Sequence, residues 1–204
     1  MTCIDDNFEW SKDEIEEKQS VTRGCVIIAS KGGGCFQLPL YLNQTLEDND
    51  ASTKGATQLF VTPNDGSCRP VNQSRFCIGV EKYSDPLGLI TSIGKIIHGS
   101  LDQEGDLLYT CRLDSQVKYG ILARGEAEAY MRLPKEGYVE WIWDHAAGKI
   151  VLEEAGGRQT DAQGLHIKYG LGAKLDRSVE GIIGSCGGIF HKTLLGAYKD
   201  VKGL

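Results

Sequence analysis

The first half of the chain alternates short apolar runs with turn-forming residues. Residues 26–29 and 35–38 are apolar runs of strand type, and the glycine-rich stretch 31–34 lies between them. Two such runs joined by a short glycine-rich segment predict a β-hairpin. Residues 59–61 and 76–80 are further apolar runs and predict two more strands.

The second half has a more regular pattern, in which apolar residues recur at helical spacing. Asp114 or Ser115 is placed to cap one helix, and Asp144 opens another. The turn-rich residues 43–56 form the one plausible internal break. This order of elements is typical of a layered α/β fold, an α+β sandwich. The predicted helices are 89–97, 114–129, 144–155 and 189–198, and the predicted strands are 130–133 and 179–184.

Composition and charge narrow the classes of function. The chain has 204 residues, with 28 acidic and 22 basic side chains and a net charge of −6. Because an acidic chain repels polyanions, we expect no nucleic-acid polymer as a partner. No apolar run reaches about 18 residues, the length that a membrane span needs, so we expect no membrane partner either.

The cysteines and the first residues bear on the compartment. The seven cysteines are scattered and lack the C-x-x-C spacing of zinc ribbons. Residues 1–19 are acidic and polar, without the apolar segment of a signal peptide. We therefore expect reduced thiols and a cytoplasmic location.

The segment that starts at Asp144 is the first candidate for chemistry. Asp144 is followed by His145 and then by small residues, and it precedes a predicted helix. The ordinary interpretation is a helix cap. The functional interpretation is a carboxylate that binds a metal ion beside a helix N-terminus. A helix N-terminus also favours a phosphate, and the small residues after Asp144 would let a ligand approach the backbone. We expect His145 to be a packed or exposed histidine rather than a metal ligand.

Three more polar residues are candidates for binding an anion. Ser115 and Lys118 are three positions apart, so on a helix they share a face and could hold a phosphate. The ordinary interpretation is a solvated first turn. Arg132 lies in an apolar strand and needs either an anionic ligand or a structural carboxylate such as Glu126 or Glu128.

Several motifs together resemble a known enzyme family. Residues 143–148, 153–157 and 160–161 form the pattern W-D-x-A-A-G, E-A-G-G and T-D. This pattern resembles the lithium-sensitive, magnesium-dependent phosphomonoesterases that include the inositol monophosphatases. Residues 114–119 and 130–134 resemble the 3'(2'),5'-bisphosphate nucleotidase branch of that superfamily.

The resemblance implies a fold and a division of the chain. The fold would be the C-terminal portion of the inositol-monophosphatase-like sugar phosphatase fold, with an incomplete N-terminal sheet. Residues 1–20 would be a loose leader, 21–110 a remnant of the N-terminal α+β subdomain, and 111–204 the C-terminal α/β subdomain.

The resemblance also implies a reaction and its residues. Enzymes of this branch use two or three Mg²⁺ ions to remove the 3'-phosphate of 3'-phosphoadenosine 5'-phosphate, which gives AMP. By resemblance, Asp144 would hold a metal ion and contact the substrate, while Ser115, Lys118 and Arg132 would contact the nucleotide and its phosphates. The alternatives are a non-catalytic nucleotide-binding or interaction remnant and, less favoured, an inositol phosphate phosphatase.

The chain departs from the family pattern upstream of these residues. The metal motif D-P-x-D-G-[ST] has no counterpart before residue 20, and residues 63–67 look like a turn. No residue corresponds to the general base, and Tyr83 and Ser84 stand where the family often carries a histidine. We therefore expect an incomplete set of Mg²⁺ ligands, impaired activity of this chain alone, and an exposed sheet face that a partner could cover.

Overall fold

Two β-sheets form the framework of the computed structural model, which describes residues 24–39, 56–61, 69–80 and 85–204. The first sheet is antiparallel, in the order β1 (Cys25–Ser30), β2 (Gly34–Pro39) and β3 (Thr57–Gln58). The second sheet has the strand order β5-β4-β6-β8-β7. Its strands are β4 (Phe76–Ile78), β5 (Thr110–Arg112), β6 (Ala129–Arg132), β7 (Arg158–Asp161) and β8 (Ile182–Ser185).

In the described part of the chain, four α-helices cover the second sheet. β4 pairs in parallel with β5 and β6, whereas β8 is antiparallel to both of its neighbours. Short 3₁₀ turns lie at Val71–Gln73 and Ile142–Asp144. The helices are α1 (Leu89–His98), α2 (Val117–Ala123), α3 (Ala146–Glu154) and α4 (Gly188–Lys202).

The apolar cores lie on both faces of the second sheet. In β4, Phe76 and Cys77 point to opposite faces, as alternation along a strand requires. One core contains Phe76 with residues of α1 and α4, and the other contains Cys77 with residues of α2 and α3. The first sheet packs on the far side of α3, so sheets and helices alternate in layers. The layered α/β fold is confirmed.

The predicted hairpin is confirmed, but the strand predicted at 59–61 is wrong. The ladder with β2 involves Thr57 and Gln58, and it ends before that run. Leu59 and Val61 are apolar because they are buried in the core around α2 and α3. Burial alone therefore explains an apolar run that sequence reasoning assigned to a strand.

The two helices that carry the candidate site begin later than predicted. Ser115 has a φ of 53°, a left-handed conformation that no helix can include, so α2 begins at Val117. Gly125, with a φ of 69°, follows the end of α2. A 3₁₀ turn ends at Asp144, and His145, with a φ of −138°, separates it from α3. Helix caps formed by Asp114, Ser115 or Asp144 are therefore wrong predictions.

The hairpin is attached to α3 through one carboxylate. Glu154, the last residue of α3, accepts hydrogen bonds from the backbone N–H of Gly32 at 2.8 Å and of Gly34 at 3.0 Å. These bonds hold the turn of the hairpin and lower the pKa of Glu154. The glycine-rich turn is therefore held by α3, in addition to its own hairpin pairing.

The face of the hairpin that points away from α3 is exposed. Val26 is 40% exposed and Ile28 is 53% exposed. Their register partners on β2 are Leu38 and Phe36, so four apolar side chains lie together on this face. A partner that covers it stays a prediction. Among the described helices, none is both long enough and apolar enough to cross a membrane, and the compartment also stays a prediction.

Some predictions fall on residues outside the described ranges. They concern the leader at 1–20, nearly all of the loop at 43–56, the turn at 63–67 and the stretch 81–84. The cysteines within the described ranges form no disulfide.

Candidate functional site

One cavity of about 240 Å³ brings the four predicted site residues together. Ser115, Lys118, Arg132 and Asp144 all line it, although 29 positions separate the first from the last. The other residues that line the cavity are Gly79, Asp114, Tyr130, Met131, Tyr138, Glu140 and His145.

The cavity lies where the three parallel strands end. Gly79 follows β4, Asp114 comes shortly after β5, and Arg132 is the last residue of β6. Because the carboxyl ends of parallel strands meet at one edge of a sheet, these residues converge there. Such edges are the usual place for ligands in open α/β sheets.

Asp144 reaches the cavity because Gln116, the residue before α2, holds the turn that carries it. The side chain of Gln116 donates to the carbonyl of Trp143 at 2.6 Å and accepts from the N–H of Gly148 at 2.7 Å. A Cβ atom at Gly148 would lie 2.1 Å from the ring of Tyr119. The glycine in the motif therefore allows α2 and α3 to pack closely, which is a different role from the ligand approach expected from the sequence.

Lys118 is buried, so its interpretation as part of a solvated first turn is wrong. Its residue is 7% exposed, and its ammonium donates to the carbonyl of Leu113 at 3.3 Å. The same nitrogen lies 5.5 Å from the centre of the Tyr130 ring. A buried ammonium retains its charge only where hydrogen bonds or counter-charges replace water. Lys118 therefore lines the cavity from a buried position, with its side-chain nitrogen bonded to that carbonyl.

Arg132 pairs with a carboxylate that sequence reasoning missed. Its Nε donates to Glu140 Oε1 at 2.8 Å, and the Glu140 side chain is only 6% exposed. The partners expected from the sequence are wrong: Glu126 and Glu128 precede β6, whereas Arg132 ends it, and both pair with other arginines. Glu140 was missed because it lies in an irregular segment with no periodic signal.

Glu140 also contacts His145, which is packed in the interior. Glu140 Oε2 lies 3.4 Å from His145 Nε2, and His145 is 2% exposed. Burial by itself would raise the pKa of Glu140, but hydrogen bonds from His145 and Arg132 outweigh it and hold the pKa below the usual value. Glu140 is therefore an anion that two cavity residues share.

The described residues do not by themselves form a site for the metal ions that the family resemblance implies. Among them, no three His, Cys, Asp or Glu side chains are grouped to hold a metal ion. Glu140 is engaged by Arg132 and His145, and Asp114 Oδ1 accepts the N–H of Ser115 at 2.7 Å. Asp144 is a third carboxylate of the cavity. The assignment of Asp144 as a metal ligand stays a prediction.

Solved structures identify the fold. SuhB, an extragenic suppressor protein of Bartonella henselae, matches with a TM-score of 0.55 at 18% identity, over 88% of this chain and 54% of that chain. An IMPase of Thermotoga maritima matches with a TM-score of 0.52 at 17% identity, over 88% of this chain and 53% of that chain. The predicted inositol monophosphatase fold is confirmed, and the chain corresponds to about half of it.

Curated relatives agree with the branch that the motifs indicate. The 3',5'-bisphosphate nucleotidase AHL of Arabidopsis thaliana is 33% identical over 184 residues, which are 87% of this chain and 43% of that protein. The 3'(2'),5'-bisphosphate nucleotidase of Schizosaccharomyces pombe is 32% identical over 182 residues, which are 89% of this chain and 46% of that protein. The chain thus spans less than half the length of these two relatives.

The family match includes the motifs that carry the resemblance. Residues 50–200 match the inositol monophosphatase family. That stretch holds the W-D-x-A-A-G pattern and all four residues predicted for the site. The chain therefore belongs to the inositol monophosphatase family.

Proposed function

We propose that this chain provides the nucleotide-binding cavity of a 3'(2'),5'-bisphosphate nucleotidase. The substrate is 3'-phosphoadenosine 5'-phosphate, and hydrolysis of its 3'-phosphate with one water gives AMP and inorganic phosphate. The observation that supports the proposal best is the convergence of Lys118, Arg132, Ser115 and Asp144 in one cavity. The names of the relatives supply the substrate class.

Two cations of the cavity can contact a phosphate ester. Lys118 and Arg132 line it together with three carboxylates, Asp114, Glu140 and Asp144, and Glu140 is already paired with Arg132. Local cations attract a compact anion even where the distant field is negative, since water and salt screen the distant charges. Ser115 adds a hydroxyl that can donate to a phosphoryl oxygen.

The metal requirement sets the expected rate. Bound Mg²⁺ in phosphatases polarises a phosphoryl oxygen and activates a water. Because the described residues lack a grouped set of ligands, we expect nucleotide binding by this chain with little turnover. The second candidate function is a nucleotide-binding protein without phosphatase activity.

Titration calorimetry with the substrate, 3'-phosphoadenosine 5'-phosphate (adenosine 3',5'-bisphosphate), tests the binding step. We expect the wild-type chain to bind, and Lys118→Ala to weaken binding about 10- to 100-fold, the range for loss of a hydrogen bond to a charged group. Lys192→Ala is the matched control, because that lysine is exposed on α4 and does not line the cavity. Equal affinity of Lys118→Ala and the wild type would contradict the assignment of the cavity.

Phosphate release separates the candidate activities. Incubation of the chain with Mg²⁺ and the bisphosphate nucleotide measures turnover, and inositol 1-phosphate serves as the rival substrate. Release from the nucleotide supports the nucleotidase, and binding without release supports the non-catalytic candidate. Preferential release from inositol 1-phosphate would show that the less favoured alternative is correct.

A further inference from the structure

A continuous series of hydrogen bonds runs from the half-buried Tyr169 through the interior to Arg132. Tyr169 donates to Gln159 Oε1 at 2.7 Å, and Gln159 Nε2 donates to the Tyr119 hydroxyl at 2.6 Å. That hydroxyl lies 2.8 Å from His145 Nδ1, and His145 Nε2 lies 3.4 Å from Glu140 Oε2. Glu140 Oε1 then accepts from Arg132 at 2.8 Å.

We propose that Tyr119, His145 and Glu140 are positioning residues that hold the guanidinium of Arg132 at the cavity and thereby set the affinity for the nucleotide. This inference rests on the proposed function. Tyr119 does not line the cavity, so it can influence a ligand there only through the residues it contacts.

The direction of every hydrogen bond in the chain follows from its two ends. The amide oxygen of Gln159 is engaged by Tyr169, so its NH₂ faces Tyr119. The Tyr119 oxygen accepts that bond, and its proton is given to Nδ1 of His145. A neutral His145 then carries its proton on Nε2, which faces Glu140. At the far end an ionised carboxylate can only accept, which agrees with this direction.

The side chains joined by these hydrogen bonds are rigid because they are buried. As whole residues, Gln159, Tyr119, His145 and Glu140 are all at most 5% exposed. The Tyr119 ring is enclosed by Gly148 on one side and by the Tyr130 ring, 4.9 Å away centre to centre, on another. An arginine side chain has many rotamers and binds poorly unless one of them is selected. The buried carboxylate of Glu140, held by His145, selects one rotamer of Arg132.

Tyr119→Phe tests the inference, with Tyr198→Phe as the matched control. Both tyrosines are buried and hydrogen-bonded, but Tyr198 packs in the other core and its hydroxyl donates to Glu180. With adenosine 3',5'-bisphosphate as the probe, we expect Tyr119→Phe to weaken binding about three- to tenfold. We expect Tyr198→Phe to leave the dissociation constant unchanged although both variants lower the melting temperature.

The same substitution in an Arg132→Ala background separates positioning from general destabilisation. If Tyr119 acts through Arg132, Tyr119→Phe has no further effect on affinity once the guanidinium is gone. A loss of the same factor in both backgrounds, or no loss in the wild-type background, overturns the inference.

The tautomer of His145 gives a readout that needs no ligand. Nitrogen–proton correlation spectra of the full chain should show the Nε2–H tautomer in the wild type, with Nδ1 changing its chemical shift in Tyr119→Phe. An Nδ1–H tautomer in the wild type overturns the chain of hydrogen bonds. Failure of the wild type to bind the nucleotide refutes the proposed function instead, so the two failures are distinguishable.

Discussion

The close packing of α2 against α3 predicts that Gly148→Ala destabilises the protein, although alanine is the better helix former. In an open helix position this exchange is favourable by about 1 kcal/mol. Here the added Cβ would lie 2.1 Å, 2.5 Å and 2.7 Å from three carbons of the Tyr119 ring. The nearest of these falls about 1.3 Å short of an ordinary contact distance of 3.4 Å.

The clash is expected to exceed the gain in helix propensity. The Tyr119 ring cannot swing away, because it is 1% exposed and hydrogen-bonded at its hydroxyl. Overpacking of this kind costs about 1–3 kcal/mol, and the retreat of the ring also strains the hydrogen bond to His145. After the propensity gain of about 1 kcal/mol is subtracted, we expect a net loss of up to about 2 kcal/mol in the free energy of unfolding, to which the strained hydrogen bond adds.

Gly196→Ala is the matched control for this prediction. Gly196 lies within α4, and a Cβ atom there would meet no heavy atom within 4 Å. That exchange should therefore stabilise the protein by about 0.5–1 kcal/mol. Urea unfolding of both variants measures the difference. Equal or greater stability of Gly148→Ala relative to the wild type would refute the packing argument.

Two further predictions concern buried and bonded titratable groups. Burial lowers the pKa of His191 from 6.5 to about 4, so the unfolded chain binds more protons between these values and stability falls as the pH drops through that window. The free energy of unfolding should fall by up to about 3 kcal/mol across that window. Urea unfolding at several pH values measures it. We expect the fall to be smaller in His191→Gln and unchanged in His166→Gln. Glu154→Ala should speed amide hydrogen exchange in the hairpin turn, because Glu154 accepts the backbone N–H groups of Gly32 and Gly34. Glu153→Ala should leave this exchange unchanged. Unchanged exchange in Glu154→Ala would mean that the hairpin does not depend on this attachment.

Local signals in the sequence were sufficient for the elements whose own residues carry strong patterns. The hairpin followed from two apolar runs around a glycine turn, and β1 and β2 lie where that pattern places them. α1 and α4 were also found, because their apolar faces repeat at helical spacing over 10 and 15 residues. The motif around Asp144 was sufficient to identify the family.

β7 is a strand that local sequence patterns could not predict. Its residues are Arg158 to Asp161, a polar run that no periodicity marks as a strand, yet three of its four residues are buried. The interior accepts them because each is hydrogen-bonded, and two of them have partners far away in sequence: Gln159 bonds Tyr119, and Thr160 contacts His191, whereas Asp161 accepts from the nearby N–H groups of Gln163 and Leu165. Polar side chains can be buried when they are hydrogen-bonded, and those partners are unknown until the chain is folded.

For the site, the sequence determined which residues were candidates, and the tertiary structure decided what each one contacts. Ser115, Lys118, Arg132 and Asp144 could be selected from their type and motif alone. Their convergence in one cavity, the burial of Lys118 and the pairing of Arg132 with Glu140 depend on strand order and on helix packing. The physical reason is range: propensity and periodicity act over a few residues, whereas desolvation and ion pairing depend on groups that only the fold brings together.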